Sequence, residues 1–161
     1  MTDKIINAEQ SRQIFSEHKT ALVTGVFDLL HNGHTWMLNH VSQKLARLDS
    51  EYKLVVVILG DEIVRQRKGS NRPIKILKDR VSELGKLGAV DYILPWETDW
   101  KGLRDFVLDV EPDMLVAVEG DSGVDNKRKY IEKAGGKLLL LPRLEGYSTT
   151  KIVDKLNQSK N

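Results

Sequence analysis

Residues Leu54 to Leu59 read Leu-Val-Val-Val-Ile-Leu, an unbroken apolar and mostly β-branched run. A strand with one wet face would alternate apolar and polar residues. A run with no polar member marks a parallel strand covered on both faces. Parallel strands need long crossovers, usually helices, and the rest of the chain supplies the pattern. Ala21–Thr24, Tyr92–Leu94, Met114–Val118 and Lys137–Leu141 read as further strands, with Pro95 closing the one at Tyr92. Between them lie stretches with helical spacing. One runs from Gly33 to about Leu48, with Trp36, Leu38, Val41 and Leu45 set for one buried face, and Trp36 and Met37 are read as core. Others end at Lys68 or span Ile76–Leu87, Lys101–Asp109 and Asp125–Ala134, the last stopped by Gly135-Gly136. Asn7-Ala8-Glu9-Gln10 has the form of a capping box opening a helix to about Glu17. Ser148 is an N-cap for a closing helix to about Leu156.

Strands alternating with helices predict an α/β fold: a Rossmann-like, doubly wound parallel sheet of about five strands with helices on both faces. At 161 residues the chain fits one domain, 1–161. Its core is expected over about 20–156, after an N-terminal helical segment (1–19) and before a frayed tail (157–161). A net charge of +2 and no interleaving of aromatic with basic residues argue against a nucleic-acid partner. There is no cysteine, hence no disulfide and no thiolate metal site. Met1–Asn7 lacks the apolar core of a signal peptide, and no apolar run is long enough to span a bilayer. A cytoplasmic protein with no membrane partner is expected.

The chemistry concentrates in Thr24-Gly25-Val26-Phe27-Asp28-Leu29-Leu30-His31-Asn32-Gly33-His34. A strand runs into a glycine turn, and two histidines three residues apart open a helix, so both can face one object. The start of a helix leaves backbone N–H groups unpaired and carries partial positive charge, which suits an anion. Gly25 and Gly33 allow the turn and a close approach of the backbone. Arg143-Leu144-Glu145-Gly146-Tyr147-Ser148-Thr149-Thr150 has a similar logic. Gly146 permits a turn, the hydroxyls of Ser148, Thr149 and Thr150 sit with the N–H groups of a helix start, and Arg143 adds a planar donor fork. Open α/β sheets bind ligands beyond the strand C-terminal ends, at the switch point of strand order. Thr24–His34, Gly60-Asp61, Glu119–Asp121 and Arg143–Thr150 all fall at such ends and are expected to converge.

The first string resembles the signature of the cytidylyltransferase-like nucleotidyltransferases. The second resembles the Arg-x-Glu-Gly-x-Ser-Thr-Thr element of glycerol-3-phosphate cytidylyltransferases. Lys4-Ile5-Ile6, the basic loop Arg65-Gln66-Arg67-Lys68-Gly69-Ser70-Asn71-Arg72-Pro73, Asp79-Arg80 and Ala89-Val90-Asp91 resemble the heptose-phosphate adenylyltransferase domain. Together the likeness covers about residues 4–156. It implies transfer of a nucleoside monophosphate from a nucleoside triphosphate, ATP slightly favoured, to a phosphorylated small molecule such as a sugar 1-phosphate, with release of pyrophosphate. His31, His34 and Arg143 would be catalytic. Thr24, Gly25, Val26, Phe27, Asp28, Gly33, Gly120, Asp121, Ser148, Thr149 and Thr150 would bind nucleotide. Lys44, Asp61, Lys68 and Arg72 would meet the acceptor, and Mg2+ would arrive mainly on the triphosphate. Asp28 reads equally as a turn-stabilising aspartate, and Asp61 equally as a helix cap. Enzymes of this kind are often homodimers.

The chain departs from the pattern in two places. The connection through Asp49–Lys53 is longer than in the family, which unsettles the register of Lys44. Glu119-Gly120-Asp121 also puts an acid where the heptose enzymes have a base. CTP-dependent transfer to glycerol 3-phosphate is therefore an alternative, as is adenylyl transfer to a flavin or pantetheine phosphate. A nucleotide-binding module without catalysis is the alternative of another class.

Overall fold

The computed structural model describes residues 4–143. Five strands form one parallel sheet: β1 (Thr20–Gly25), β2 (Lys53–Leu59), β3 (Tyr92–Trp96), β4 (Met114–Val118) and β5 (Lys137–Leu141). Their order is β3-β2-β1-β4-β5, so the chain winds outward one way to β3 and then returns to the far side of β1. The reversal lies between β1 and β4. The crossovers are α2 (Asn32–Leu48), α3 (Asp61–Lys68) with α4 (Leu77–Gly85), α5 (Trp100–Val110) and α6 (Val124–Lys133), and α1 (Ala8–Glu17) precedes the sheet. The expected fold class is the one observed. The closing helix predicted from Ser148 lies outside the described residues, as does the tail.

The side-chain period of two in β2 sorts its apolar run between two cores. Leu54, Val56 and Ile58 join Leu38, Val41 and Leu45 of α2 and Val81 and Leu84 of α4 on one face. Val55, Val57 and Leu59 join Ile63 and Val64 of α3, Phe106 of α5 and Ile131 of α6 on the other. Each fully buried side chain of this size contributes about 1.5–3 kcal/mol relative to exposure. The capping box of α1 is present: the Asn7 side chain accepts from the Gln10 N–H at 2.8 Å, and the Gln10 side chain accepts from the Asn7 N–H at 2.9 Å.

Two expectations are corrected. Pro95 does not close β3 but lies inside it, paired in register with Ile58. The Ile93 carbonyl accepts from Ile6 at 2.9 Å on the side away from β2, and Pro95, two residues on, faces the same way. Its missing N–H therefore falls on the outer side of an edge strand, where β2 needs no donor. Trp36 is not core either. It stacks on His40 (centroids 4.9 Å apart) and, with Met37, lines the cavity at the strand ends.

Candidate active site

The cavity lies where the topology predicts, beyond the C-terminal ends of β1 and β4, and measures about 780 Å3. Thr24 and Gly25 of β1 and Val116–Val118 of β4 form its floor. His31 and His34 enter from the start of α2, Arg67 and Lys68 from the end of α3, Lys127 from α6, and Arg143 from beyond β5. Asp121 is the only acidic side chain lining it among the described residues. A wall with this excess of cations suits a polyanion.

The histidines meet as their spacing predicts, with stacked rings, centroids 3.8 Å apart and planes inclined by 22°. The Phe27 ring lies 5.1 Å from that of His34. His31 is the N-cap of α2, and its Nδ1 accepts from the Gly33 N–H at 3.1 Å and the His34 N–H at 3.4 Å. Two of the N–H groups expected to be open to an anion are therefore held by the imidazole. That bond pattern also fixes the tautomer: Nδ1 accepts, so the neutral ring carries its proton on Nε2. Burial pushes the His31 imidazolium pKa down. For His34, burial and then the neighbouring His31 and Lys68 push it down to about 4, against a backbone hydrogen bond with Leu29 that pulls it up. Both rings are therefore neutral near pH 7 and can offer N–H groups rather than charges.

Gly25 lines the cavity and has a further local role. Its backbone is not left-handed; a Cβ there would stand 2.7 Å from Cε2 of Phe27. The bare Cα makes room for the Phe27 ring, which folds back from a residue that is itself left-handed (φ +50°).

Of the remaining predicted residues, Val26, Phe27, Gly33, Lys68, Asp121 and Arg143 line the cavity. Arg143 pairs with Asp121, and its Nε donates to the Glu119 carbonyl at 3.3 Å across the left-handed turn at Gly120 (φ +83°). The Glu119 side chain is exposed and not in the wall. Lys68 is exposed at the rim, and desolvation of its amine, followed by the Arg72 and Arg67 guanidiniums, pushes its pKa down. Lys44 and Gly120 do not line the cavity. Ser148, Thr149 and Thr150 lie outside the described residues.

Asp28, Asp61 and Arg72 form a scaffold beneath the wall. Asp28 is fully buried and accepts from Arg72 Nε (2.8 Å), the Ile74 N–H (2.8 Å) and the Lys75 N–H (2.9 Å). Burial would push its carboxyl up, but the Lys75 and Ile74 amides and the Arg72 guanidinium outweigh it and hold the carboxyl below its usual range. Its oxygens are thus occupied by the end of the basic loop and the residues after it, the turn-stabilising arrangement. Asp61 pairs with Arg80 at 2.6 Å. Arg80, with its side chain fully buried, also donates to the carbonyls of Val26 (2.8 Å), Leu59 (2.7 Å) and Lys75 (2.9 Å). One guanidinium therefore ties the ends of β1 and β2 to the start of α4. Sequence reasoning gave Arg80 no role, and an isolated arginine on an amphipathic helix carries no local sign of burial.

Asn126, Lys127 and Tyr130 were also missed, although their spacing puts them on one face of α6. Burial pushes the Lys127 amine down, partly offset by Asp121. Arg67 lies over the Trp100 ring, 4.2 Å from its centroid. Among the described residues no group of three His, Cys, Asp or Glu could hold a metal ion, and no helix is long and apolar enough to cross a membrane.

Comparison with known proteins gives a consistent result. The sequence profile described as cytidylyltransferase-like matches residues 22–155. The chain is 32% identical over 142 residues to the bifunctional protein HldE of Alcanivorax borkumensis, covering 87% of this chain and 28% of that protein. It is 33% identical over 156 residues to HldE of Vibrio cholerae, covering 96% of this chain and 31% of that protein. This chain therefore spans about three-tenths of the length of these relatives. Among solved structures, a lipopolysaccharide core biosynthesis protein from Thermoplasma volcanium superposes with a TM-score of 0.58 at 25% identity, over 81% of this chain and 99% of that one. A pantoate–β-alanine ligase from Francisella tularensis shares the fold, with a TM-score of 0.56 at 16% identity over 98% of this chain and 78% of that one.

Proposed function

The chain belongs to the cytidylyltransferase-like family of nucleotidyltransferases, and on that premise we propose that it moves a nucleoside monophosphate, AMP by preference, from its triphosphate to a sugar phosphate. The observation that carries this reading is the cavity at the switch point, where two stacked neutral imidazoles stand among Arg67, Lys68, Lys127 and Arg143. An acceptor with a sugar is supported by the relative named for lipopolysaccharide core biosynthesis and by the HldE proteins. ATP is favoured by the likeness of Lys4–Ile6 and the basic loop to the heptose-phosphate adenylyltransferase domain.

In this reading an oxygen of the acceptor phosphate attacks the α-phosphorus in line. The bond from that phosphorus to the bridging α–β oxygen breaks, and pyrophosphate leaves with the electron pair. A phosphomonoester is largely dianionic near neutral pH, so no general base is required. What remains for the protein is positioning and stabilisation of charge. His31 and His34 donate N–H bonds to the triphosphate as charge builds on the leaving side. Arg143, with the helix start expected at Ser148–Thr150, holds the β- and γ-phosphates. Backbone from Thr24 to Phe27, with Gly33 and Asp121, follows the nucleotide, and Lys68 meets the acceptor phosphate. Asp28, Asp61 and Arg72 serve by holding the loops that carry these groups. Mg2+ takes few protein ligands, and among the described residues the cavity offers one carboxylate, already paired, so the ion would come on the triphosphate oxygens and screen their charge.

The test is pyrophosphate release from ATP, CTP, GTP and UTP with Mg2+ over a panel of acceptors: heptose and hexose 1-phosphates, glycerol 3-phosphate, FMN and phosphopantetheine. Turnover with ATP and a sugar 1-phosphate, lost in His34→Ala, is expected. Turnover with CTP and glycerol 3-phosphate alone would replace base and acceptor together. Nucleotide binding with no release across the panel would overturn transfer in favour of a binding module.

A further inference from the structure

A second cavity, of about 560 Å3, opens beside the first between α5 and α6. Thr24, Trp100, Asn126 and Tyr130 line both, so the two are continuous. The walls of the second are cationic. Lys101 and Arg104 come from α5, and Lys129 and Lys133 from α6, while no acidic side chain among the described residues lines it. The spacing accounts for the grouping, since Lys129 and Lys133 are one turn apart and Trp100 and Arg104 are one turn apart on the facing helix. Lys101, Lys129 and Lys133 form no ion pair among the described residues; Arg104 stands 3.9 Å from its neighbour Asp105 and also faces Tyr130.

Like charges gathered along one groove repel one another, and an anion between them removes that cost. The volume is that of a small-molecule site. Trp100 and Tyr130, at the junction, offer flat apolar faces with polar edges, which suit a sugar. We infer that the groove is a subsite for a second anionic group of the acceptor. The chain's acceptor class is then a sugar phosphate with a further phosphate or carboxylate at the end remote from the reacting phosphate. This rests on the transfer reading above: the reacting phosphate lies by His31 and His34, the sugar passes Trp100 and Tyr130, and the far anion lies among Lys101, Arg104, Lys129 and Lys133.

The experiment compares hexose 1-phosphate, hexose 1,6-bisphosphate and a hexuronic acid 1-phosphate as acceptors with the preferred triphosphate. The doubly anionic acceptors are expected to show kcat/KM about tenfold higher, mainly through KM, with the advantage shrinking as salt is raised. Gain with the bisphosphate alone identifies a phosphate subsite; gain with both identifies a general anion subsite. The pair Lys129→Glu and Lys133→Glu, and separately Lys101→Glu, should bring the ratio towards one while leaving turnover of hexose 1-phosphate and the thermal midpoint unchanged. Equal kcat/KM for all three acceptors, or a preference that survives these substitutions, overturns the inference while transfer itself stands. No pyrophosphate release with any of the three, while another acceptor of the wider panel turns over, overturns the subsite and leaves transfer standing; no release across the whole panel sinks both.

Discussion

The two ends of the sheet satisfy their backbone with opposite charges. Where strands begin, carboxylates accept from N–H groups: Asp113 from Thr20 at 2.8 Å and Asp91 from Leu54 at 2.8 Å. Where strands end, a guanidinium donates to carbonyls, Arg80 to Leu59 and to Val26 just beyond β1. At the first end the named charges are engaged by the backbone. At the second the positive groups outnumber the backbone acceptors, and Arg67, Lys68 and Lys127 stand in a cavity with one acid among the described residues. The sheet therefore has an end for stability and an end with cations to spare, and a ligand site belongs at the latter.

Substitutions can break this contrast. The largest effect is expected at the spare end without loss of fold: His34→Ala should lower kcat for pyrophosphate release about 10²–10³-fold, as removal of one transition-state donor does. Its thermal midpoint should stay near that of the parent. Arg80→Met should do the reverse, leaving the buried Leu59 carbonyl and the part-buried Val26 carbonyl without a donor. A loss of about 3 kcal/mol in denaturant-monitored stability is expected, with activity in the surviving folded fraction reduced because both strand ends shift. Acid should sharpen the comparison. With His34 near 4 when folded and 6.5 when unfolded, the unfolded chain takes up its proton first as pH falls below 6.5. Stability then declines towards pH 4, by at most about 3 kcal/mol, and His34→Gln should flatten that decline. A bound triphosphate should raise both imidazole pKa values, so nucleotide affinity should rise over the same interval, measured by calorimetry in buffers of different ionisation enthalpy. The smallest effect is expected at the other end: Asp113→Ala should cost about 1 kcal/mol and leave kcat unchanged.

The sheet and the position of the site were legible because both rest on local pattern. The Leu54–Leu59 run, the helical periodicities and the turn at Gly25 each point to one answer, and the parallel alternation then dictates which end holds the cavity. The residues whose roles the sequence left open or misplaced were those that depend on distant partners. Asp28 and Arg72 lie 44 positions apart and meet only after β1 and the loop before α4 are assembled. Asp61 reads as a strand-end acid until Arg80 reaches it. Pro95 looked like a stop because nothing in its own neighbourhood says that β3 is an edge. Lys127 and Tyr130 were within reach of a helical-wheel reading of α6, but a polar face on a surface helix carries no sign of what it faces.

The capping role of His31 has a consequence for how the site answers to protons. One nitrogen, Nδ1, terminates α2 and is also the atom that must be protonated for the ring to become a cation. A nitrogen that holds a proton cannot accept, so charging the ring uncaps the helix. The Gly33 and His34 amides are released in the same event that creates the positive charge. The proton, the loosened first turn and two newly available donors thus form one coupled unit, and an anion arriving there meets all three or none.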